Sequence, residues 1–256
     1  MASKNDILYG VLKIWQPSRG ARVNVDTVLL AAYPDISRKR EVKFAELGSA
    51  SGAVSLLLAK RFKNLSVVGL EIQNEAVELA TRNVIENELY SQVCFFEFDI
   101  RDYDLLDAQS FDGIVVNPPY KSIESGRVSS RLAEATARQE TAGRLDEIVS
   151  AARWLLRSKG RFYCVFTANR MAELLSLLVN NNIQPKRMRY VHPKPKRAAS
   201  VFLLEAVKDG GIGLTVEPPL YIYDDNGEYT EELKMAYTLD GLPSTLRKSK
   251  KRIDFV

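Results

Sequence analysis

The sequence predicts an α/β fold built on one mostly parallel sheet, and three observations carry that prediction. Short apolar, β-rich runs alternate with helical patterns, the arrangement of consecutive βαβ units. At 256 residues the chain suits one large α/β domain with an appendage and is too short for several independent enzymes. Hydrophobic residues make up 46% and charged residues 27%, ordinary globular usage that argues against a disordered or low-complexity chain.

Seven strands are expected, at Val42 to Leu47, Ser66 to Glu71, Val93 to Phe98, Gly113 to Val116, Arg161 to Phe166, Lys186 to Val191 and Val201 to Val207. Between the first two, Val54, Leu57, Leu58 and Phe62 recur at helical spacing over Gly52 to Phe62. Val77, Ala80, Val84 and Asn87 do the same over Asn74 to Glu88. Helices at Leu145 to Leu156 and Met171 to Val179 fill two later gaps, the latter stopped by Asn180, Asn181, Asn182 and Pro185. The segment His192 to Ser200 is too short and too proline-rich for a crossover. The last two strands therefore form an antiparallel hairpin at one edge of a seven-stranded sheet. Residues 37–210 form the expected core, with 1–36 as an N-terminal segment and 211–256 as a C-terminal extension ending in a basic tail.

The net charge of +4 hides an uneven distribution. Lys186, Arg187, Arg189, Lys194, Lys196 and Arg197 follow one another with no acid between them, as do Arg247, Lys248, Lys250, Lys251 and Arg252. Without those eleven the remainder carries −7, an acidic body with two basic patches suited to gripping a polyanion. A solvated loop and a charged chain end are the plainer reading of the same residues.

Several function classes fall away. One histidine, His192, and no CxxC motif argue against a zinc site and make a Ser-His-Asp hydrolase improbable. Cys94 and Cys164 each lie in an apolar run and are expected to be buried free thiols in a reducing cytoplasm. No apolar run approaches the roughly 18 residues that cross a bilayer, and the start MASKNDILYG lacks the blocks of a signal peptide. A cytoplasmic protein without a membrane segment is expected.

Open α/β sheets bind ligands beyond the carboxyl ends of their strands. After the first strand, Glu46-Leu47-Gly48-Ser49-Ala50-Ser51-Gly52 is a small-residue turn running into a helix, where a ligand can lie against bare backbone. Its G-x-A-x-G pattern fits the dinucleotide fingerprint poorly, which disfavours a nicotinamide dehydrogenase. A tight strand-helix connection is the simpler alternative. Glu71 ends the second strand where an acid can accept both hydroxyls of a ribose, or merely begin the helix after Ile72. Asp99 and Ile100 follow the third strand, offering an acceptor for an adenine amine and an apolar face for its ring. Together these ends suggest an adenosine-bearing cofactor.

The fourth strand stops at Asn117-Pro118-Pro119-Tyr120. Two prolines hold the chain extended and leave carbonyls free to accept, beside an amide and an aromatic face. An amine conjugated to a ring is a poor nucleophile because its lone pair is delocalised. Accepting both N–H hydrogens, at the Asn117 and Pro118 carbonyls, localises the pair and aims it at an electrophile, while Tyr120 stacks on the planar group. No dedicated base is required. A proline turn with Tyr120 as packing is the structural alternative.

These residues resemble the Asn-Pro-Pro-Tyr motif of class I S-adenosylmethionine-dependent amino-methyltransferases, whose Rossmann-like seven-stranded sheet ends in an antiparallel hairpin. The resemblance narrows with Gln16-Pro17, Asp26-Thr27-Val28-Leu29-Leu30-Ala31, Gly69-Leu70-Glu71-Ile72-Gln73, Ala137-Arg138-Gln139-Glu140, Val191-His192-Pro193, and the run from Pro218-Pro219-Leu220 to Gly227-Glu228-Tyr229-Thr230. Together they look like the bacterial tRNA adenine-N6 methyltransferases that modify a valine tRNA beside its anticodon. The resemblance implies that Gln16, Asp26, Glu46, Gly48, Gly52, Glu71, Ile72, Asp99 and Ile100 hold S-adenosyl-L-methionine, the Gln16 and Asp26 segment closing over the methionine end. It implies that Asn117, Pro118, Pro119 and Tyr120 present the adenine amine of a tRNA. Members usually read Gly where this chain has Ala50, a methyl that intrudes if its φ must be positive. Asp26 is otherwise read as a helix N-cap with Leu29 and Leu30 in the core. Methylation of a protein glutamine or an rRNA guanine uses the same acceptor geometry. A catalytically inactive RNA-binding factor is the alternative from another class.

Overall fold

The computed structural model describes residues 2–17, 22–118 and 145–242. The sheet runs in the order β5-β4-β3-β6-β7-β9-β8, from Val93–Glu97 (β5) through Leu65–Glu71 (β4), Val42–Leu47 (β3), Phe111–Val116 (β6), Leu156–Thr167 (β7) and Val201–Lys208 (β9) to Ile183–His192 (β8). These are the seven expected strands. All pairings are parallel except those of β9, which lies antiparallel between β7 and β8 and closes the expected hairpin. The chain steps outward from β3 to β5 and then crosses back to β6 on the other side of β3. The crevice between β3 and β6 is thus the topological switch point.

Burial follows from position in the sheet. Ile114, Val115 and Val116 on central β6 are all sealed, as a strand covered on both faces requires. Helices Val25–Ala32 (α1), Ala53–Arg61 (α2) and Asn74–Glu86 (α3) cover one face, where Leu29, Leu57 and Ala80 join Phe44, Val67 and Val93. A helix over 145–155 (α4) and Met171–Asn180 (α5) cover the other, bringing Val149, Leu155 and Leu174 against Ala45, Ile114 and Phe162. Edge strand β5 is followed by a 3-10 turn, Ile100–Leu105, instead of a full helix. Cys94 is accordingly exposed, contrary to the expectation of two buried thiols, while Cys164 on β7 is sealed.

Two regions outside the expected core carry structure of their own. Ala2–Ile7 (β1) and Leu12–Pro17 (β2) form an antiparallel hairpin docked on α3. Asn83 in the last turn of α3 and Asn87 at its C-cap act as a surrogate strand edge. Asn83 accepts from Trp15 N at 2.7 Å and donates to Trp15 O at 2.8 Å, and Asn87 repeats the pattern at Lys13 with 2.9 and 2.6 Å. Beyond residue 210 the chain returns to the sheet, where Thr215–Val216 (β10) and Leu220–Tyr221 (β11) pair in parallel along the outer edge of β8. Helix Glu231–Ala236 (α6), capped by Thr230, then packs on α1 and β11. Among the described residues no helix is long and apolar enough to cross a membrane.

Candidate active site

Register aligns the proposed ligand ends. Leu47 on β3 pairs with Leu70 on β4 and with Val116 on β6, so Gly48, Glu71 and Asn117 are the next residues along one rim. Adjacent strands lie roughly 5 Å apart, which makes the three near neighbours.

The turn between β3 and α2 winds through left-handed backbone at Gly48, Ala50 and Gly52, with φ of +70°, +46° and +78°. Gly48 and Ser49 both donate to the Leu70 carbonyl, at 2.8 and 3.2 Å, which fastens the turn to β4. Gly52 is the N-cap of α2, and a Cβ there would lie 2.4 Å from the Phe95 ring. The backbone approach at Gly52 therefore admits no side chain. Ala50 takes the positive φ that the sequence flagged as costly. Its strain is offset by a hydrogen bond from Ala50 N to Glu71 Oε2 at 2.8 Å.

Glu71 is buried and also accepts from Gln73 N at 3.1 Å, so both its oxygens are oriented by backbone donors. Each retains a lone pair for a ligand hydroxyl. Beside it Ile72 stands exposed on the rim. Glu46 behaves differently from the ligand-facing role expected of it. Its Oε2 is turned beneath α2, accepting from Ser55 N at 3.0 Å and Ser55 Oγ at 2.5 Å. Burial pushes its carboxyl up to about 8 against the pull of the two Ser55 hydrogen bonds, with the nearby Glu71 charge adding to the rise. Glu46 thus positions the first turn of α2.

Asp99 caps the 3-10 turn through Arg101 N at 3.0 Å and is forked by the Arg101 guanidinium, with Nε 3.0 Å from each oxygen. These donors hold its carboxyl below the usual range. Ile100 is half-buried against the core on the α4 and α5 face of the sheet. Gln16 is buried and bonded to Asn5 Oδ1 at 2.7 Å and Val23 N at 2.9 Å, fixing the hairpin to the connector before α1. A relay joins that hairpin to the turn: Asn83 bonds Trp15 O and also donates to Ser51 O at 3.0 Å. Asp26 lies in the first turn of α1, but the N-cap is Asn24, whose side chain closes a capping box with Thr27. Leu29 and Leu30 are in the core as expected.

Asn117 and buried Pro118 follow β6 on the rim. Pro119, Tyr120, the Ala137 to Glu140 motif and the Arg247 to Arg252 patch lie outside the described residues.

The six cations of the first basic patch do not act together. Arg187 and Arg189 are buried within the fold, Arg187 against Glu205 at 2.9 Å and Arg189 against Glu232 at 2.8 Å. Lys186, near the start of β8, donates to the Gly211 carbonyl. Lys194, Lys196 and Arg197 alone follow the carboxyl end of β8, on the ligand side of the sheet. There His192 donates through Nδ1 to the Arg197 carbonyl at 2.7 Å, and its ring centre lies 5.5 Å from that of Tyr221. Tyr223 and Tyr229, 5.2 Å apart, continue this aromatic surface. Of these, only Tyr229 belongs to a motif the sequence pointed to; the N-terminal hairpin, Tyr221 and Tyr223 did not stand out, although Leu12, Ile14 and Gln16 alternate as a half-buried strand does.

Comparison with known proteins settles the class. A family model described as the methyltransferase small domain matches residues 21–188. The chain belongs to the methyltransferase small-domain family. This methyltransferase is 30% identical to the tRNA1(Val) (adenine(37)-N6)-methyltransferase of Actinobacillus pleuropneumoniae over 83% of its own length and 87% of the relative. The protein of that name in Pedobacter heparinus is 26% identical over 91% and 96% of the two chains. Among solved structures, a predicted O-methyltransferase from Agrobacterium tumefaciens superposes with a TM-score of 0.69 at 20% identity, covering 85% of this methyltransferase and 98% of that chain. The likeness supports the Rossmann-like fold.

Proposed function

We propose that this methyltransferase transfers a methyl group from S-adenosyl-L-methionine to the exocyclic N6 of an adenine in tRNA. The observation that carries the reading is the shared rim, which sets Asn117 beside the Gly48 turn across the switch point. The names of the curated relatives supply the substrate, and position 37 of a valine tRNA is the specific target we adopt.

The residues present fit the cofactor. Ser49 Oγ is buried in the turn with no partner among the described residues, an orphaned polar atom where a ligand is expected to approach. Glu71 offers two oriented oxygens to a ribose, Ile72 an apolar face beside it, and Ile100 a surface for the adenine ring. Asp99 serves the adenine amine once Arg101 leaves one of its lone pairs open. Gly48 leaves backbone bare for the remainder and Gly52 keeps the turn tight against Phe95, while Gln16 and Glu46 brace the surrounding elements and the Asp26 segment closes over the methionine end. When bound, the cofactor supplies an electrophilic methyl on a sulfonium.

On the substrate side, the Asn117 and Pro118 carbonyls accept the two N–H hydrogens and hold the amine lone pair out of conjugation. Pro119 stiffens that corner and Tyr120 stacks on the base. The proton is acidic after transfer and leaves to solvent. The base must come out of its stack, at least cost from a single-stranded anticodon loop. Lys194, Lys196 and Arg197 grip phosphates on the same side, beside the Tyr221 and Tyr223 aromatic surface. We place the enzyme in the cytoplasm with its tRNA.

Transfer of labelled methyl to purified tRNA, ribosomal RNA and protein tests the reading. Label in tRNA supports it; label only in ribosomal RNA or protein moves the substrate, and no cofactor binding at about millimolar concentration leaves an inactive RNA-binding scaffold.

A further inference from the structure

At the other end of the sheet lies a cavity of about 570 Å³, walled by residues 33–39 between α1 and β3, Arg61 and Phe62 at the end of α2, Arg187 and Arg189 of β8, and the turn at 239–242. Residues 33–39 precede β3, whose six residues separate this cavity from the Gly48 turn by roughly 17–20 Å. It is a different site from the one already described.

Its charges are incompletely matched. Arg187 faces Glu205 and Glu217, and Arg189 faces Glu232. Arg61 is buried, at 6% exposure, yet meets no carboxylate among the described residues. Its Nη2 and Nε reach the Ala236 and Thr238 carbonyls at 2.5 to 3.3 Å, and its Nη1 has no hydrogen-bond partner among the described residues. Burial pulls this guanidinium down to about 10, as expected of a cation withdrawn from water without a counter-charge. At the mouth Arg38 and Lys39 are exposed, Arg38 resting 5.8 Å from the Phe62 ring. Asp35 and Asp240 share the rim and do not reach ion-pair distance of any of the three. Tyr163, on the cross-strand row that runs through Glu205 to Arg187, has a buried hydroxyl that is also without a hydrogen-bond partner among the described residues.

We propose that this cavity binds a phosphate group, seated between Arg61 at the inner wall and Arg38 and Lys39 at the mouth. A tetrahedral oxyanion accepts donors converging from separate segments, and a guanidinium fork suits it better than an ammonium. The volume admits a phosphorylated small molecule or one exposed phosphate of a nucleic acid.

Calorimetric titration of the full chain with pyrophosphate at low salt tests the site. Saturable binding is expected. Arg38→Ala with Lys39→Ala weakens it about tenfold or more, each charged hydrogen bond contributing enough for that factor, while S-adenosylmethionine affinity stays unchanged. Arg61→Gln removes the inner cation and abolishes the binding; because it also releases the end of α6, the surface double variant carries the test if Arg61→Gln fails to fold. The source of the phosphate is read from tRNA binding. If it is RNA backbone, the double variant also weakens tRNA and lowers the salt slope by about 2, and pyrophosphate competes with tRNA. If it is a free phosphorylated molecule, tRNA binding is unaffected by either. No saturable pyrophosphate binding up to about 10 mM, or equal affinity in wild type and double variant, overturns the proposal. Methyl transfer is not a readout, so failure of the proposed reaction is seen separately.

Discussion

Glu71 accepts the backbone N–H of Ala50 at 2.8 Å while Ala50 holds φ at +46°. The strand-end acid thereby fastens a turn that an alanine enters only with strain of about 1–2 kcal/mol. Glycine at this position removes the strain and adds back unfolded-state entropy, so Ala50→Gly is expected to be neutral or stabilising by up to about 1 kcal/mol, with cofactor affinity equal or higher. Ala50→Val places a β-branched side chain at positive φ and is expected to destabilise by about 2 kcal/mol or more and weaken the cofactor. Denaturant unfolding and calorimetry check both. A neutral Ala50→Val would mean that the turn does not hold this conformation.

Glu46 makes stability depend on pH in a defined direction. Its carboxyl is raised from 4.5 to about 8 in the fold, so between those values the folded state keeps a proton that the unfolded chain releases. Its contribution to stability therefore falls as pH rises through that window and levels off above it. Glu46→Gln cannot ionise. The thermal midpoint of the variant relative to wild type is expected to climb from pH 5 to 8 and then flatten; parallel pH profiles would contradict the burial assigned to Glu46.

The division of the basic hairpin predicts two outcomes from one experiment. Replacing Lys194, Lys196 and Arg197 by alanine is expected to weaken tRNA binding and reduce the salt slope by about 2 to 3, at roughly 0.7–0.9 per phosphate contact. Lys186→Ala is expected to leave both unchanged, because that side chain serves the Gly211 carbonyl away from the ligand rim. Filter binding over a salt series separates the two, and equal losses would restore a single six-cation patch.

Most of the seven strands were legible because their β runs are largely apolar and bounded by helical periodicity or turn residues; the cation-bearing β8, and β9 between it and β7, followed from a connector too short for a crossover. The Gly48 turn, Glu71 and Asn117 were legible because strand order alone brings strand ends together at a switch point. Side-chain direction was not. Glu46 follows the strand pattern toward the rim but turns under α2, where Ser55 donors compensate its burial. Arg187 and Arg189 look like surface charge until Glu205, Glu217 and Glu232 arrive from distant sequence. β1 was hidden because ASKNDI is mostly polar, and its partner β2 docks through backbone bonds to Asn83 and Asn87. Cys94 was misread because an apolar run on an edge strand exposes alternate residues where no helix covers them.

The most direct measurement is nucleoside mass spectrometry of valine tRNA incubated with S-adenosylmethionine and either wild-type protein or Asn117→Ala. We expect N6-methyladenine with the wild type and a loss of about 10²-fold or more in the variant, while its cofactor affinity and fold are retained. Near-normal methylation by Asn117→Ala would remove the amide from the reaction, and the absence of N6-methyladenine with the wild type would contradict the assigned activity itself.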